Sequence, residues 1–277
     1  MMKSRAASAP FTVWMLLFTV VPLAMVVWFA FTDGEGSFTF DNILVIGENL
    51  DILGRSILLG GISTVICLLL AYPLAYSISR ATERVQQTMV MIIMLPMWMN
   101  FLLRTYAWMS ILENNGFINQ FLRLIGILQE GQSITMINTQ GAVVLGMVYN
   151  FLPFMVLPLY SVMAKLDNRI IEAAQDLGSN GWQVFRRIVL PLSVPGILSG
   201  ITMVFVPAVS TFVITKLLGG SKVMMIGDKI ENMFIGQYQN YNVGASLSLV
   251  LMVLILLCMA LMSMVDKGDD EMGGMYA

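Results

Sequence analysis

Six long apolar runs limit what this chain can fold into more than any other feature of its sequence. They lie at about 11–32, 55–79, 88–110, 140–164, 193–217 and 244–265. Each is long enough to cross a hydrocarbon core of roughly 30 Å, which takes about 20 apolar residues as a helix. Because unpaired backbone N–H and C=O groups are costly in lipid, such spans have to be helical. The sequence therefore predicts an all-α polytopic membrane protein, with six transmembrane helices forming a single domain over 1–277.

The composition agrees with this fold class and excludes several functions. The chain is 57% hydrophobic and 12% charged, whereas soluble domains are about 45–50% apolar and about 25% charged. A net charge of -2 does not favour nucleic-acid binding. The sequence has no histidine, so the usual proton shuttle and the commonest metal ligand are missing. Cys67 and Cys258 lie inside apolar runs, and we predict no disulfide, no metal site and no catalytic residues.

The first run and the distribution of basic residues predict how the chain lies in the membrane. Lys3 and Arg5 precede the first run as in a secretory signal. Its apolar core is longer than the roughly 7–15 residues of a signal peptide and no A-x-A site follows, so we expect a retained helix. With both termini in the cytoplasm, nine Lys and Arg residues fall inside and six outside. This is the expected bias, and it predicts that both termini are cytoplasmic.

The connection between the fourth and fifth runs is longer and more charged than a simple crossing requires. Its first part, NRIIEAAQDL at 168–177, predicts a short helix with an N-cap at Asp167 and a left-handed end at Gly178. One stripe of that helix is formed by Ile170, Ala173, Ala174 and Leu177. The segment WQVFRRIVL then predicts a second helix that stops at Pro191. We call residues 168–191 the elbow.

Two functions are compatible with the residues of the elbow. Glu172 and Asp176 stand four apart on the first helix, a like-charge pair that is mildly destabilising alone. Arg169 can offset Glu172, but Asp176 has no cation at helical spacing. The small residues at 173 and 174 would allow another surface to approach the backbone. The segment is therefore either a helix that inserts into a cleft of a soluble protein or an ordinary solvated amphipathic loop.

The elbow also resembles the signature of the inner-membrane permeases of type I ABC importers. The spacing E-A-A, three residues, G, nine residues, I-x-L-P occurs at Glu172, Ala173, Ala174, Gly178, Ile188, Leu190 and Pro191. In that family the segment is the coupling helix, which docks into a groove of the ATP-hydrolysing subunit. The resemblance implies that these residues, together with Asp176, contact an ATPase.

A wider resemblance runs over most of the chain from about residue 50. The stretches LPMWMNFLLRTYAWMSILENNGFIN, LPFMVLPLYSVMAKLDNRIIEAAQDLG and PAVSTFVITKLLGG are similar to the permease subunits of spermidine/putrescine importers, and relatives for other small solutes share much of this pattern. No G-x-x-x-x-G-K-[ST] occurs, so this chain does not cradle ATP phosphates. The resemblance implies two copies of a PotA-like ATPase that bind ATP and Mg²⁺, a PotC-like second permease and an extracellular PotD-like polyamine-binding protein.

A stand-alone channel or secondary carrier is the alternative from another class. The predicted spans have almost no ionisable groups at mid-depth, which argues against proton- or sodium-coupled transport. Arg55, Arg104 and Lys216 lie near predicted outer ends, where long side chains can snorkel. A cationic substrate would therefore cross on softer groups.

Two clusters are candidates for the substrate path. Around the third run these are Trp98, Asn100, Tyr106 and Trp108. Aromatic faces attract ammonium groups by about 0.5–2 kcal/mol, but the same residue types form interfacial belts. In the fifth run the candidates are Pro207, Ser210, Thr211, Phe212 and Thr215. A proline followed by hydroxyl residues is typical of a cavity-lining helix or of plain helix packing.

The predicted outer loops carry two weaker signals. In the first loop, carboxylates without a basic residue among them predict an acidic vestibule that would concentrate a polyamine. They are Asp33, Glu35, Asp41, Glu48 and Asp51, although Lys216, Lys222 and Lys229 on the last loop dilute the effect. In the second loop, FINQFLRLIGIL predicts a short helix at the interface, which serves as an anchor or as a docking surface.

Overall fold

The computed structural model describes residues 10–129, 131–236 and 239–273, with side chains described as far as Met262. These residues form helices joined by loops, and the only β-type pairing among them is the isolated bridge between Thr32 and Phe38. The helices are α1 (Pro10–Ala30), α2 (Asp41–Glu48), α3 (Leu50–Ser79), α4 (Glu83–Trp98), α5 (Phe101–Leu112), α6 (Phe117–Leu124), α7 (Gln140–Met163), α8 (Asn168–Asp176), α9 (Gly181–Leu192), α10 (Val194–Ser210), α11 (Ile226–Ile235) and α12 (Tyr241–Gly273). The all-α prediction is confirmed.

Four of the predicted runs are continuous helices. Among the described residues, α1, α3, α7 and the Tyr241–Met262 part of α12 are long and apolar enough to cross a membrane, and two bent helix pairs raise the total to six if each pair is one span. The second predicted span, at 55–79, corresponds to α3, which begins earlier, at Leu50. The polar first turn of α3 extends the helix beyond the hydrophobic segment.

The span predicted over 88–110 is not one continuous helix in the structure. A break at Met99 and Asn100 separates α4 from the helical segment Phe101–Leu124, and the two axes differ by 87°. Met99 is extended, with φ -78° and ψ 149°. The Asn100 side chain accepts a hydrogen bond from the backbone N of Leu102 at 2.8 Å and so caps α5. A cap at this position starts a new helix, because the asparagine side chain replaces the backbone partner that a continuous helix would supply.

The helix predicted over 193–217 is also shorter than the apolar run. It ends at Ser210, where Thr211 adopts an extended conformation with ψ 143°. A separate π-helical turn follows at Thr215–Gly219. At its other end, α10 meets α9 at an angle of 62°. Pro207 lies inside the last turns of α10, and the backbone hydrogen bond that it cannot donate weakens the helix just before its end.

The core of the bundle is formed by α3, α7 and α10. Their facing side chains are fully buried, among them Leu59, Met147, Met155, Leu159 and Val204. The backbones approach closely: a Cβ on Gly60 would lie 2.7 Å from the Val209 side chain. Small residues at helix contacts permit this approach. By contrast, only 6% of the hydrophobic window of α1 is buried within this chain, and α1 packs against α12 at the periphery.

Candidate functional site

The first helix of the elbow has the boundaries that its sequence predicts. The Asp167 side chain caps α8 by accepting a hydrogen bond from the backbone N of Arg169 at 2.9 Å. After α8 ends, Gly178 adopts φ +85°, a conformation that side-chain-bearing residues rarely adopt. The turn is closed by the Ser179 backbone N, which donates to the Ala174 carbonyl at 3.0 Å. Both cap predictions are confirmed, and they show that the elbow holds its own shape.

The second helix of the elbow begins with a motif that the sequence analysis missed. Asn180 and Gln183 form a reciprocal capping box, with hydrogen bonds of 2.9 and 3.0 Å. Its signal, N-x-x-Q before a helix, was present in the sequence. The chain then forms a π-helical turn at Phe185–Val189 and continues through Pro191 to Leu192. The predicted stop at Pro191 is therefore one residue early, because Leu190–Leu192 forms one further turn before the bend at Ser193.

The elbow presents acidic and apolar groups on its surface. Glu172, Ala173, Asp176 and Gly178 are exposed, and Ala174 is half-buried. Neither carboxylate has an ion-pair partner within the described part of the chain. Three large apolar side chains lie beside them: Leu177 is 88% exposed, Trp182 67% and Ile170 48%. Apolar groups of this size on a polar segment are typical of a surface that another protein covers.

Two of the remaining signature residues face the bundle instead. Ile188 and Leu190 are half-buried, and Leu190 lines a cavity of about 430 Å³ between the elbow and α3. Pro191 is exposed. The structure thus divides the predicted coupling residues into an outward set on α8 and an inward set on α9.

The inward side of the elbow is tied to α3 by an aromatic joint, which we define as Tyr72, Trp182, Phe185 and Ser193. The Tyr72 hydroxyl and the Ser193 hydroxyl are 2.9 Å apart. The Tyr72 ring meets the Phe185 ring edge-on at 5.6 Å, and Phe185 stacks on Trp182 at 5.4 Å. Aromatic pairs of this kind contribute about 0.5–1.5 kcal/mol each. No periodic pattern in the sequence predicts this joint, because Tyr72 on α3 is more than 100 positions from the other members.

Arg80 makes a second connection between α3 and the start of the elbow. Its guanidinium donates hydrogen bonds to the Asn168 side chain and to the Leu166 carbonyl. The same group lies over the Tyr76 ring at 5.4 Å. The start of α8 is therefore connected to the end of α3 through the Arg80 side chain.

The structure brings part of the fifth-run cluster to one cavity. Ser210 and Phe212 line a cavity of about 440 Å³ between α10, α11 and α12, together with Glu231 and Ser248. We call it the α10–α12 cavity. Phe212 is 40% exposed. Pro207 and Thr211 are half-buried, and neither is among the residues that line the cavity.

Thr215 does not line this cavity and belongs to a buried polar cluster. Its side chain is fully buried and lies 2.7 Å from a carboxylate oxygen of Asp228. The other oxygen of Asp228 accepts a hydrogen bond from the backbone N of Met225 at 2.8 Å. The adjacent backbone N of Ile226 donates to Ser56 on α3 at 2.7 Å. Thr215 therefore holds α11 in place, and the sequence analysis missed Asp228 because its partners are brought together only by the fold.

Burial dominates the electrostatics of Asp228. Its side chain is 4% exposed, and loss of hydration raises the pKa of the carboxyl above its ordinary value. Hydrogen bonds from Met225 and Thr215, and the positive charge of Lys216, act in the opposite direction without reversing the shift. Lys216 itself forms an ion pair with Glu231, so its predicted role as a snorkelling residue gives way to a pairing role.

The third-run cluster is not assembled into one site. Trp98 and Tyr106 are exposed by 77% and 46%. Trp108 packs edge-on against Tyr149 at 5.3 Å, and Asn100 caps α5. None of the four lines either cavity described above. The exposure of Trp98 and Tyr106 is compatible with the alternative prediction, an interfacial belt.

Arg104 is a further correction, because it does not reach outward from α5. Only 8% of the residue is exposed, and its Nε and one terminal nitrogen have no hydrogen-bond partner within the described chain. The guanidinium lies 6.0 Å from the Phe101 ring.

Comparison with known proteins identifies several relatives. The family described as "Binding-protein-dependent transport system inner membrane component" matches residues 1–268. The spermidine/putrescine transport system permease protein PotB of Haemophilus influenzae is 38% identical over 252 residues, covering 88% of this chain and 87% of that protein. PotB of Escherichia coli K12 is 34% identical over 250 residues, covering 87% and 90%.

Two solved structures share the fold at low sequence identity. A chain of a bacterial ABC transporter involved in the import of the acidic polysaccharide alginate superposes with a TM-score of 0.80 and 17% identity, covering 95% of this chain and 94% of that one. A chain of the MetNI methionine ABC transporter in an inward-facing conformation superposes with a TM-score of 0.59 and 16% identity, covering 79% and 95%. These likenesses show that the helices of this chain share the fold of those transporter chains.

Proposed function

Because the chain belongs to the binding-protein-dependent transport system inner membrane component family, we propose that it is the membrane-spanning subunit of an ATP-driven ABC importer for polyamines such as spermidine and putrescine. The observation that carries the substrate class is the identity of 34–38% to PotB permeases over nearly the whole chain. The subunit is a transport protein of the bacterial inner membrane and not an enzyme. ATP hydrolysis belongs to its partner subunits.

The outward face of the elbow is the proposed contact with the ATPase. Its exposed carboxylates, Glu172 and Asp176, have no cation within the described chain, and a basic rim on the ATPase groove would supply one. The exposed side chains of Leu177 and Trp182 offer apolar surface that such a groove would bury. The small side chains of Ala173 and Ala174 let the groove wall approach the α8 backbone. Gly178 sets the angle at which α8 is presented.

The inward face of the elbow is the proposed transmission element. When the ATPases close on ATP, α8 moves with them as a rigid body. The aromatic joint then transmits the displacement from α9 to α3, and the bend at Ser193 transmits it to α10. Because α3 and α10 form the core with α7, a movement of these helices changes which side of the bundle is open.

The complete assembly that we propose has two PotA-like ATPase subunits with ATP and Mg²⁺, this chain, a PotC-like second permease and a PotD-like extracellular binding protein. The peripheral helix α1 and the exposed side of α12 offer apolar surface to the second permease or to lipid. Both termini lie in the cytoplasm in this proposal, which places the elbow on the ATPase side. The α10–α12 cavity then lies toward the opposite face.

The test is reconstitution of the complete assembly in proteoliposomes. We expect uptake of labelled spermidine and putrescine that requires both internal ATP and the binding protein. An importer for another solute would hydrolyse ATP in this preparation without polyamine uptake. Polyamine flux down a gradient through the isolated chain, without ATP, would instead identify a stand-alone channel or carrier.

A further inference from the structure

The α10–α12 cavity combines one carboxylate with apolar walls and accepting hydroxyls. Among the described residues that line it, Glu231 is the only acidic one. The walls are formed by Phe212, Ile230, Leu251 and Ile255. Ser210 and Ser248 donate their hydroxyl protons to backbone carbonyls of their own helices, at 3.0 and 2.8 Å. Their oxygen lone pairs are left as acceptors, so the polar groups of this cavity accept hydrogen bonds and suit a ligand that only donates them.

An ammonium group already lies on the carboxylate of this cavity. Lys216, from the π-helical turn at Thr215–Gly219, pairs with Glu231 in the one ion pair that the described residues contain. The Lys216 side chain is 42% exposed and does not line the cavity, whereas Glu231 does. A lysine side chain is four methylenes ending in an ammonium, which is the chemical form of one end of an aliphatic diamine.

We propose that Glu231 binds an ammonium group of the transported polyamine in the α10–α12 cavity, and that this ammonium displaces the one on Lys216. The inference rests on the proposed function. The methylene chain of the substrate lies along the apolar wall, as ligand chains do in pockets with few polar groups. The Phe212 ring and the serine oxygens receive a second ammonium.

The exchange is electrostatically balanced. At Glu231 one ammonium replaces another, so this carboxylate is not left unpaired. Lys216 is exposed enough to be hydrated once it is released. Asp228, one helical turn before Glu231, is not available, because its two oxygens are engaged by Thr215 and by the Met225 backbone. Competition from Lys216 keeps the affinity low, which a conduit requires for release.

The two halves of the ion pair make opposite predictions. In the complete assembly, Glu231→Gln removes the receiving carboxylate, and the apparent KM for putrescine rises about tenfold, the factor expected when a hydrogen bond to a charged group is lost. Lys216→Gln removes the competitor, and KM falls about two- to fivefold, the factor that corresponds to a partly exposed ion pair. Glu113→Gln, which changes an exposed carboxylate outside the cavity, is the control and leaves KM unchanged.

A purely structural ion pair would shift KM in the same direction in both variants, and that result, or an unchanged KM in Glu231→Gln, overturns the inference. ATP hydrolysis by each variant, measured in parallel, shows that the assembly is intact. If the wild-type assembly transports polyamines and the two shifts agree in sign, only this inference fails. If the wild-type assembly shows no ATP-dependent polyamine uptake, the proposed function fails and this inference fails with it.

Discussion

The elbow and the buried cluster around Asp228 stabilise their helices in opposite ways. In the elbow, each cap is local: Asp167 and Asn180 bond to backbone groups two or three residues away. In the Asp228 cluster, the partners come from distant parts of the chain, since Ser56 on α3 holds the start of α11. The elbow therefore keeps its conformation through its own hydrogen bonds and leaves its outer face exposed. The Asp228 cluster instead connects α11 to other helices of the bundle. Changes in the elbow should disturb coupling, and changes in the cluster should disturb stability.

Gly178→Val tests the elbow side of this comparison with the largest expected effect. A β-branched residue is strained at φ +85°, so α8 would be presented at a wrong angle. We expect uptake by the assembly to be abolished while the amount of chain in the membrane is unchanged. Gly178→Asn is the matched variant, because asparagine tolerates this conformation, and it should keep most of the uptake. Equal uptake by the valine and asparagine variants would show that the turn does not position the elbow.

Glu172→Lys tests the charge of the outer face. The carboxylate is exposed and has no ion-pair partner in the described chain, so reversal costs the free subunit little and costs the docked complex a like-charge contact. Uptake and ATPase binding should both be lost, with the thermal stability of the isolated chain in detergent unchanged. Glu83→Lys, on the first turn of α4, controls for net charge. Normal transport by Glu172→Lys would contradict the docking role.

Asp228→Leu tests the buried cluster around Asp228. It leaves the Met225 N–H without its acceptor and removes the Thr215 partner, and a buried unsatisfied group costs about 1–3 kcal/mol. The free energy of unfolding in detergent should fall by about that amount, whereas the elbow variants leave it unchanged. Asp228→Asn retains an acceptor, so its free energy of unfolding should fall less. A leucine variant as stable as wild type would mean that the cluster does not hold α11.

Tyr72→Phe tests the aromatic joint, where the elbow meets α3. The change removes one hydrogen bond of about 0.5–1.5 kcal/mol between Tyr72 and Ser193 and keeps the ring contacts. We expect more ATP hydrolysed per polyamine transported. In a double-mutant cycle, adding Ser193→Ala should cause little further change. Additive effects of the two substitutions on the transport ratio would show that these hydroxyls act separately.

The smallest effect concerns pH and the raised pKa of Asp228. Because the folded carboxyl holds its proton more tightly than the unfolded one, its contribution to stability is complete below the ordinary pKa of 3.8 and is lost as the pH rises through the folded value. Between those two values, the unfolding free energy of wild type should fall with rising pH relative to Asp228→Asn. Parallel pH profiles for the two proteins would exclude a raised pKa.

The parts of this fold that the sequence predicted are those set by local rules. Hydrophobic length located α1, α3, α7 and α12, and cap chemistry located both ends of α8. The break at Asn100 was missed because one polar residue barely changes the mean hydropathy of a span, although it restarts the helix. Arg104 was placed at an outer end because its position in an apolar run does not show whether other parts of the chain cover it, and in the fold it is buried.

The candidate sites show the same division. The outward residues of the elbow were predicted from a motif, and Glu172, Ala173 and Asp176 among them are exposed. Thr215 was assigned to the substrate path, but its partner Asp228 is thirteen positions away across a turn, and no periodic pattern links them. Glu231 was not singled out because its significance depends on a cavity between three helices. Pairings of this kind are fixed by tertiary packing and are not visible in composition or spacing.

Crosslinking at the elbow tests whether α8 docks into the nucleotide-hydrolysing subunit. With Cys258 replaced by serine and the buried Cys67 retained, a cysteine at the exposed position Ala173 is treated with a short bifunctional reagent in the complete assembly. We expect capture of the nucleotide-hydrolysing subunit, with a yield that changes between the ATP-bound and nucleotide-free states. A cysteine at the control position Ala164, which is exposed near the end of α7, should capture little of it. Failure of Ala173→Cys to capture that subunit in any nucleotide state would contradict this docking.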